Sequence, residues 1–175
     1  LEGARWICNQ MGVSDEQFYE DIPTFTGASR RLEILHEDEN LKIYRDFAHA
    51  PSKVTATVNA VKENFANRKV IACFELHTFS SLSIEFMEQY SGSMNMADEA
   101  LVYFNPDVVA HKKLPVLNAA EIKSQFGNEA LRVFDDNQAL LAAVKNSLGK
   151  KKCVLLVMSS GSFDGINWKK ELDIV

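Results

Sequence analysis

Two stretches of this chain, Val70 to Leu76 and Cys153 to Met158, are apolar almost without interruption. A strand with one wet face alternates apolar and polar side chains. A strand lacking that alternation is covered on both faces, as in a parallel sheet. Parallel neighbours need a crossover, usually a helix, and the sequence supplies several. Val54, Val58, Val61 and Phe65 recur at helical spacing after Pro51, and Pro suits a first helical turn. Ile84 to Tyr90 reads as another helix. Asn118-Ala119-Ala120-Glu121 reads as the capped start of one that ends near Phe126 and Gly127. Leu140, Leu141, Val144 and Leu148 mark the next, closed by Gly149. Ala100 to Phe104 and Leu131 to Phe134 read as strands, and Arg31 to Glu37 with Leu41 to Asp46 as two strands around the turn Asp38-Glu39-Asn40. Strands alternating with helices predict a three-layer α/β domain with a mostly parallel sheet and right-handed crossovers.

The chain opens differently. Leu1, Ala4, Cys8 and Met11 follow helical spacing up to Gly12. Val13 to Phe18 starts a second short helix, with Ser14 placed to cap the amide of Gln17, Gln17 to reach back, and Val13 to pack on Phe18. Thr24 to Ser29, with Gly27, reads as a linker. A net charge of -5 leaves no basic footprint for nucleic acid. No apolar run approaches the roughly 18 residues of a membrane span, and the first dozen residues, with Glu2, Arg5 and Asn9 among the apolar ones, do not read as a signal peptide. Cys8, Cys73 and Cys153 are odd in number and far apart, as expected of reduced core thiols in a cytoplasmic protein, and no pair has metal-ligand spacing. His36 in its acidic turn, His111 beside Lys112, and Lys150 to Lys152 read as solvated.

Ligands of such sheets sit beyond the carboxyl ends of the strands, here Asp46 to Pro51, Glu75 to Ser81, Asn105 to Asp107 and Ser159 to Gly165. In Asp46-Phe47-Ala48-His49-Ala50-Pro51, Asp46 at a strand end can accept hydrogen bonds from hydroxyls. His49 stands just ahead of a helix N-terminus that favours phosphate. The same residues also read as a helix-capping turn with an incidental histidine. His77, Thr78 and Ser80 either face a ligand or satisfy a local turn, and Ser159, Ser160 and Gly161 offer hydroxyls and amides suited to a carboxylate or make a plain strand–helix turn.

The pattern Asp46-x-Ala48-His49-x-Pro51 resembles the opening signature of the C-terminal domain of Mur ligases and folylpolyglutamate synthases. Phe25-Thr26-Gly27-Ala28-Ser29-Arg30-Arg31-Leu32-Glu33 resembles that family's junction between central and C-terminal domains. Leu156 to Ile166 is similar to the last strand and loop of the branch that recycles murein tripeptide. The resemblance implies a Rossmann-like C-terminal domain over 33–175, a linker over 25–32, and residues 1–24 as the tail of the central ATP-binding domain. It also implies an enzyme that activates a carboxylate with ATP and magnesium as an acyl phosphate, for an amine to displace. No P-loop is present: Gly149-Lys150 is followed by Lys151 where Ser or Thr is required. The expectation is therefore a fragment, inactive and without bound nucleotide.

Carried onto this sequence, the resemblance places Arg31 at the phosphates, Asp46 at the ribose and His49 near the nucleotide, with Arg31 and Asp46 the catalytic pair and no metal ligands. It assigns the amine substrate to His77, Thr78, Ser80, Asn105, Ser159, Ser160 and Gly161, although Asp107 stands where a related ligase has Arg. If the segment is extended, Arg30 points away from Arg31. The implied substrates are UDP-N-acetylmuramate and murein tripeptide. An L-alanine-adding ligase, a folylpolyglutamate synthase and a non-catalytic nucleotide- or partner-binding module are the alternatives.

Overall fold

The computed structural model describes residues 1–25, 29–149 and 152–174. The expected linker glycine Gly27 and the pair Lys150-Lys151 lie outside them. Among the described residues six strands form one sheet: β1 (Glu33–Glu37), β2 (Leu41–Asp46), β3 (Lys69–Leu76), β4 (Glu99–Phe104), β5 (Arg132–Phe134) and β6 (Cys153–Met158). Their order is β1-β2-β6-β3-β4-β5; β1 is antiparallel to β2 at one edge and every other pairing is parallel.

Among the described residues eight α-helices connect or flank the strands: α1 (Glu2–Gln10), α2 (Asp15–Asp21), α3 (Pro51–Asn64), α4 (Ile84–Met87), α5 (Pro106–His111), α6 (Ala119–Phe126), α7 (Asn137–Ser147) and α8 (Trp168–Glu171). The two-residue period of the strands divides the core. Val70, Ala72, Phe74, Val102, Val154 and Leu156 pack under Val54, Val58 and Val61 of α3 and Ile122 and Phe126 of α6. Ile71, Cys73, Leu101, Leu155 and Val157 face the other way, against Leu140, Leu141 and Val144 of α7 and Trp168 of α8. This is the three-layer arrangement that the doubly covered runs require.

Local chemistry fixes the ends. Ser14 accepts from the Gln17 amide at 3.2 Å, and Asn118 from the Glu121 amide at 2.9 Å. Gly127 closes α6 in the left-handed region at φ 60°, where a side chain is strained. Asp38 folds the first hairpin by accepting from the amides of Asn40 and Leu41, both at 2.7 Å.

The structure departs from the sequence reading in five places. Strand β1 starts at Glu33, because Arg30 and Leu32 take left-handed φ values of 56° and 45°. The stretch Ile84 to Tyr90 divides into α4 and a 3-10 turn over Glu88–Tyr90. Helix α5 was not expected; Asn105 caps it, accepting from the amides of Asp107 and Val108. Cys73 and Cys153 are buried as core thiols, but Cys8 is only half-buried on a helix with no buried residue. His36 is not simply solvated either, since its Nε2 lies 2.8 Å from Asp38 Oδ2.

Candidate functional site

The parallel strands end together. Asp46 of β2 and Phe74 of β3 both pair with Met158 of β6, and Leu76 of β3 pairs with Phe104 of β4. Asp46, His77, Asn105 and Ser159 therefore line one edge of the sheet, and each begins a loop.

At β2, the Asp46 carboxylate holds its own surroundings. Oδ2 accepts from the Leu32 amide at 2.8 Å and Oδ1 from the Ala48 amide at 2.7 Å. The Phe47 amide donates to the Arg30 carbonyl at 2.7 Å. These bonds fasten residues 30–32, strained at both flanks of Arg31, against the strand end. Arg31 is exposed, and among the described residues its side chain has no hydrogen-bond or ion-pair partner. His49 Nδ1 lies 2.9 Å from the Phe47 carbonyl oxygen, so that nitrogen carries the proton and Nε2 stays open as an acceptor in the neutral ring. Ala50 gives α3 no side-chain cap, which leaves its N-terminal turn open to an anionic ligand.

At β3, Glu75 is 2% exposed, the one charged residue in the core among the described residues. Its Oε2 accepts the Ser159 hydroxyl and, at 2.9 Å, the Phe163 amide. Its Oε1 lies 3.6 Å from His77 Nδ1. Ser159 Oγ in turn accepts from the Gly161 amide at 2.6 Å. The loop presses so closely on β3 that a Cβ at Gly161 would stand 2.8 Å from the His77 ring and 2.9 Å from Glu75 Oε2. His77, Ser159 and Gly161, read separately from the sequence, thus meet on one carboxylate.

At β4, Tyr103 and Asn105 both donate to Asp164 Oδ2. Burial raises the Tyr103 hydroxyl well above its usual range, and Asp164 beside it adds to the effect, so the phenol stays protonated. Phe163 and Asp164 have φ values of 50° and 52°, left-handed for residues with side chains. Phe163 is buried, stacked on Tyr103 at 6.1 Å and edge-on to Trp168 at 5.4 Å. The 159–165 loop is therefore a strained turn held by groups from β3 and β4.

Two hollows flank this loop. A cleft of about 440 Å³ is lined by Arg30, Arg45, Lys169 and Glu33 over a floor that includes Leu35, Val157 and Trp168. The Arg45 guanidinium chiefly holds the Glu33 carboxyl below its usual range, with the Arg30 amide contributing. A second hollow of about 280 Å³ is acidic, with Asp107, Asp135, Asp136 and Asp164. Among the described residues no cluster has metal-ligand geometry.

The other expected residues are placed differently. Thr78 Oγ1 accepts from the Ser81 amide at 3.1 Å and bonds Ser81 Oγ at 2.9 Å, so its hydroxyl is used within its turn, with Ser80 exposed beside it. Ser160 Oγ is buried without a partner. Sequence reasoning missed Glu75, Tyr103, Asp164 and the cleft arginines Arg30 and Arg45. Only Glu75 carried a signal, as a charge inside an apolar run.

A three-layer α/β domain whose strand-end loops converge on one edge defines a ligand-binding class, and sequence comparison narrows it. The chain belongs to the family described as Mur ligase, glutamate ligase domain, which matches residues 30–161. A UDP-N-acetylmuramate–L-alanine ligase of Salinibacter ruber is 28% identical over 156 residues, covering 86% of this chain and 32% of that protein. The chain thus spans about a third of the length of that relative. The UDP-N-acetylmuramate–alanine ligase of Thermotoga maritima superimposes with a TM-score of 0.67 at 21% identity, covering 90% of this chain and 33% of that one. A domain of a UDP-N-acetylmuramate:L-alanyl-γ-D-glutamyl-meso-diaminopimelate ligase of Haemophilus ducreyi superimposes with a TM-score of 0.55 at 25% identity, covering 82% of this chain and 98% of that one.

Proposed function

We propose that this chain is the C-terminal part of an ATP-dependent ligase that joins murein tripeptide to UDP-N-acetylmuramate. In this reading residues 33–175 form the C-terminal domain, 25–32 the linker, and 1–24 the tail of a central ATP-binding domain. The exposed Trp6 and Ile7 of α1, with Met11 just after it, suit a segment that packs on a domain outside this chain. The chemistry that ATP and magnesium supply is activation of the acceptor carboxylate as an acyl phosphate.

The residues at the β2 end fit a nucleotide. Arg31 is extended into solvent as a fixed cation, the uncapped first turn of α3 offers amides, and Asp46 keeps lone pairs beyond those its two amides occupy. The strand-end loops hold the amine-bearing substrate against that edge, with His77, Asn105, Ser159, Ser160 and Gly161 as its neighbours. Neither group is a nucleophile; the rate comes from position and charge.

The observation favouring a peptide is the cationic cleft of about 440 Å³ beside the 159–165 loop. Arg30, Arg45 and Lys169 outnumber Glu33 there, which suits a ligand with several carboxylates, and the acidic hollow on the other side suits its cationic end. A single alanine would leave most of this space filled with water. The second reading, an L-alanine-adding ligase, is favoured by the name of the Salinibacter ruber relative. Specificity constants of the intact ligase for L-Ala-γ-D-Glu-meso-diaminopimelate and for L-alanine separate the two. A preference for the tripeptide supports the first, and a preference for L-alanine replaces it with the second.

A further inference from the structure

A carboxylate buried in a core strand is costly unless its oxygens are filled by donors. Glu75 meets that condition at Oε2, which accepts two hydrogen bonds, while Oε1 has only the longer His77 contact. Its neighbours are the Ser159 hydroxyl, the Phe163 amide and the His77 ring, all at the ligand edge of the sheet. The Phe163 amide it holds belongs to a residue with φ 50°, a conformation that needs outside support. Gly161 lets the loop lie against both His77 and Glu75, at distances that a methyl group would violate. One buried side chain therefore fixes the relation between the β3 end and the β6 loop.

We propose that Glu75 is the positioning residue of the amine-substrate site. It locks His77 and the Ser159–Phe163 turn into one rigid receptor, so that the bound amine arrives at a fixed distance from the activated carboxyl. The proposal rests on reading these loops as the amine site. Both loop bonds end on Oε2, so an amide oxygen in its place can accept both. A side chain of similar size without an acceptor cannot.

The test compares Glu75→Met with Glu75→Gln in the intact ligase. The methionine variant should raise KM for the amine-bearing substrate at least about tenfold and lower kcat, since small misplacements cost rate steeply. KM for ATP and for UDP-N-acetylmuramate should stay within about twofold, and glutamine should restore most of the loss. If all three KM values rise together, or glutamine is as poor as methionine, the positioning role is wrong. Should Glu75→Met fail to fold, Gly161→Ala provides the same readout from the opposite side of the contact; a wild-type amine KM there overturns the proposal. Hydrogen exchange at residues 159–165 of this protein is read separately, as slow in wild type and Glu75→Gln and at least about tenfold faster in Glu75→Met. Unchanged exchange defeats the positioning role, whereas a wild type that ligates neither amine defeats the proposed function alone.

Discussion

Asp46→Ala is expected to weaken the fold as well as the chemistry. The substitution removes the acceptors of the Leu32 and Ala48 amides, at 2.8 and 2.7 Å. Bonds from amides to a charged acceptor contribute about 1.5–3 kcal/mol each. Asp46 is only half-buried, so water recovers part of that for the freed amides. Halving the sum leaves a loss of about 1.5–3 kcal/mol, which for a domain of this size lowers Tm by about 3–12 °C. Asp46→Asn, which keeps one carbonyl acceptor, should lose about half as much. Urea unfolding followed by tryptophan fluorescence measures both. A change below about 0.5 kcal/mol for Asp46→Ala would refute the claim that this carboxylate pins residues 30–32. The outcome matters for function: ligation lost in an Asp46 variant counts toward nucleotide binding only beyond what the displaced Arg31 segment explains.

Gly127→Ala should cost about 1–2 kcal/mol in urea unfolding, because its φ is 60° and its new methyl would stand 2.9 Å from Ser91 Oγ. Phe74→Ala, at the meeting point of Tyr90 and Phe126, should cost about 3–5 kcal/mol and leave a cavity visible by xenon binding. The Leu41 amide, with His36 and the Asn40 amide, depresses Asp38 from 3.8 to about 2, so its contribution is complete above the unfolded value and disappears as pH falls from 3.8 through about 2. Asp38→Asn should therefore flatten the loss of stability across that window in acid titrations followed by circular dichroism. Lys169→Glu together with Arg45→Glu should raise the KM of the intact ligase for tripeptide at least about tenfold while sparing ATP, as measured by phosphate release; an unchanged value removes the cleft from the substrate site.

The layers were legible because burial on both faces leaves a record in composition. The runs through Phe74 and Leu155 could not be anything but central strands, and Asn118 and Gly127 punctuate α6 by chemistry that acts over a few residues. The site was legible only as a set of loops. What joins His77 to Ser159 is Glu75, whose partners lie 84 and 88 residues downstream, and no local pattern encodes that pairing. Arg31 to Glu37 reads as a strand, but Arg30 and Leu32 are not extended. They leave the extended region because Glu33, Asp46 and Phe47 hold their backbone, again through contacts that spacing does not reveal. Helix α5 escaped notice because it is six residues long and its cap, Asn105, also reads as a loop residue.

The order of the sheet has a consequence for how the chain is made. Strand β6 lies between β2 and β3 yet is the last strand to leave the ribosome. Until it does, β2 and β3 each present an open edge, and β3 is almost wholly apolar, the kind of surface on which nascent chains associate with one another. The central gap closes only with pairings between residues 84 positions apart (Lys69 with Cys153) and 112 apart (Leu41 with Cys153), which favours slow folding. Synthesis interrupted before Cys153 would leave two half-sheets with no strand to join them. Quality control of this domain is therefore a race between completion of one hexapeptide and aggregation at the two edges that wait for it.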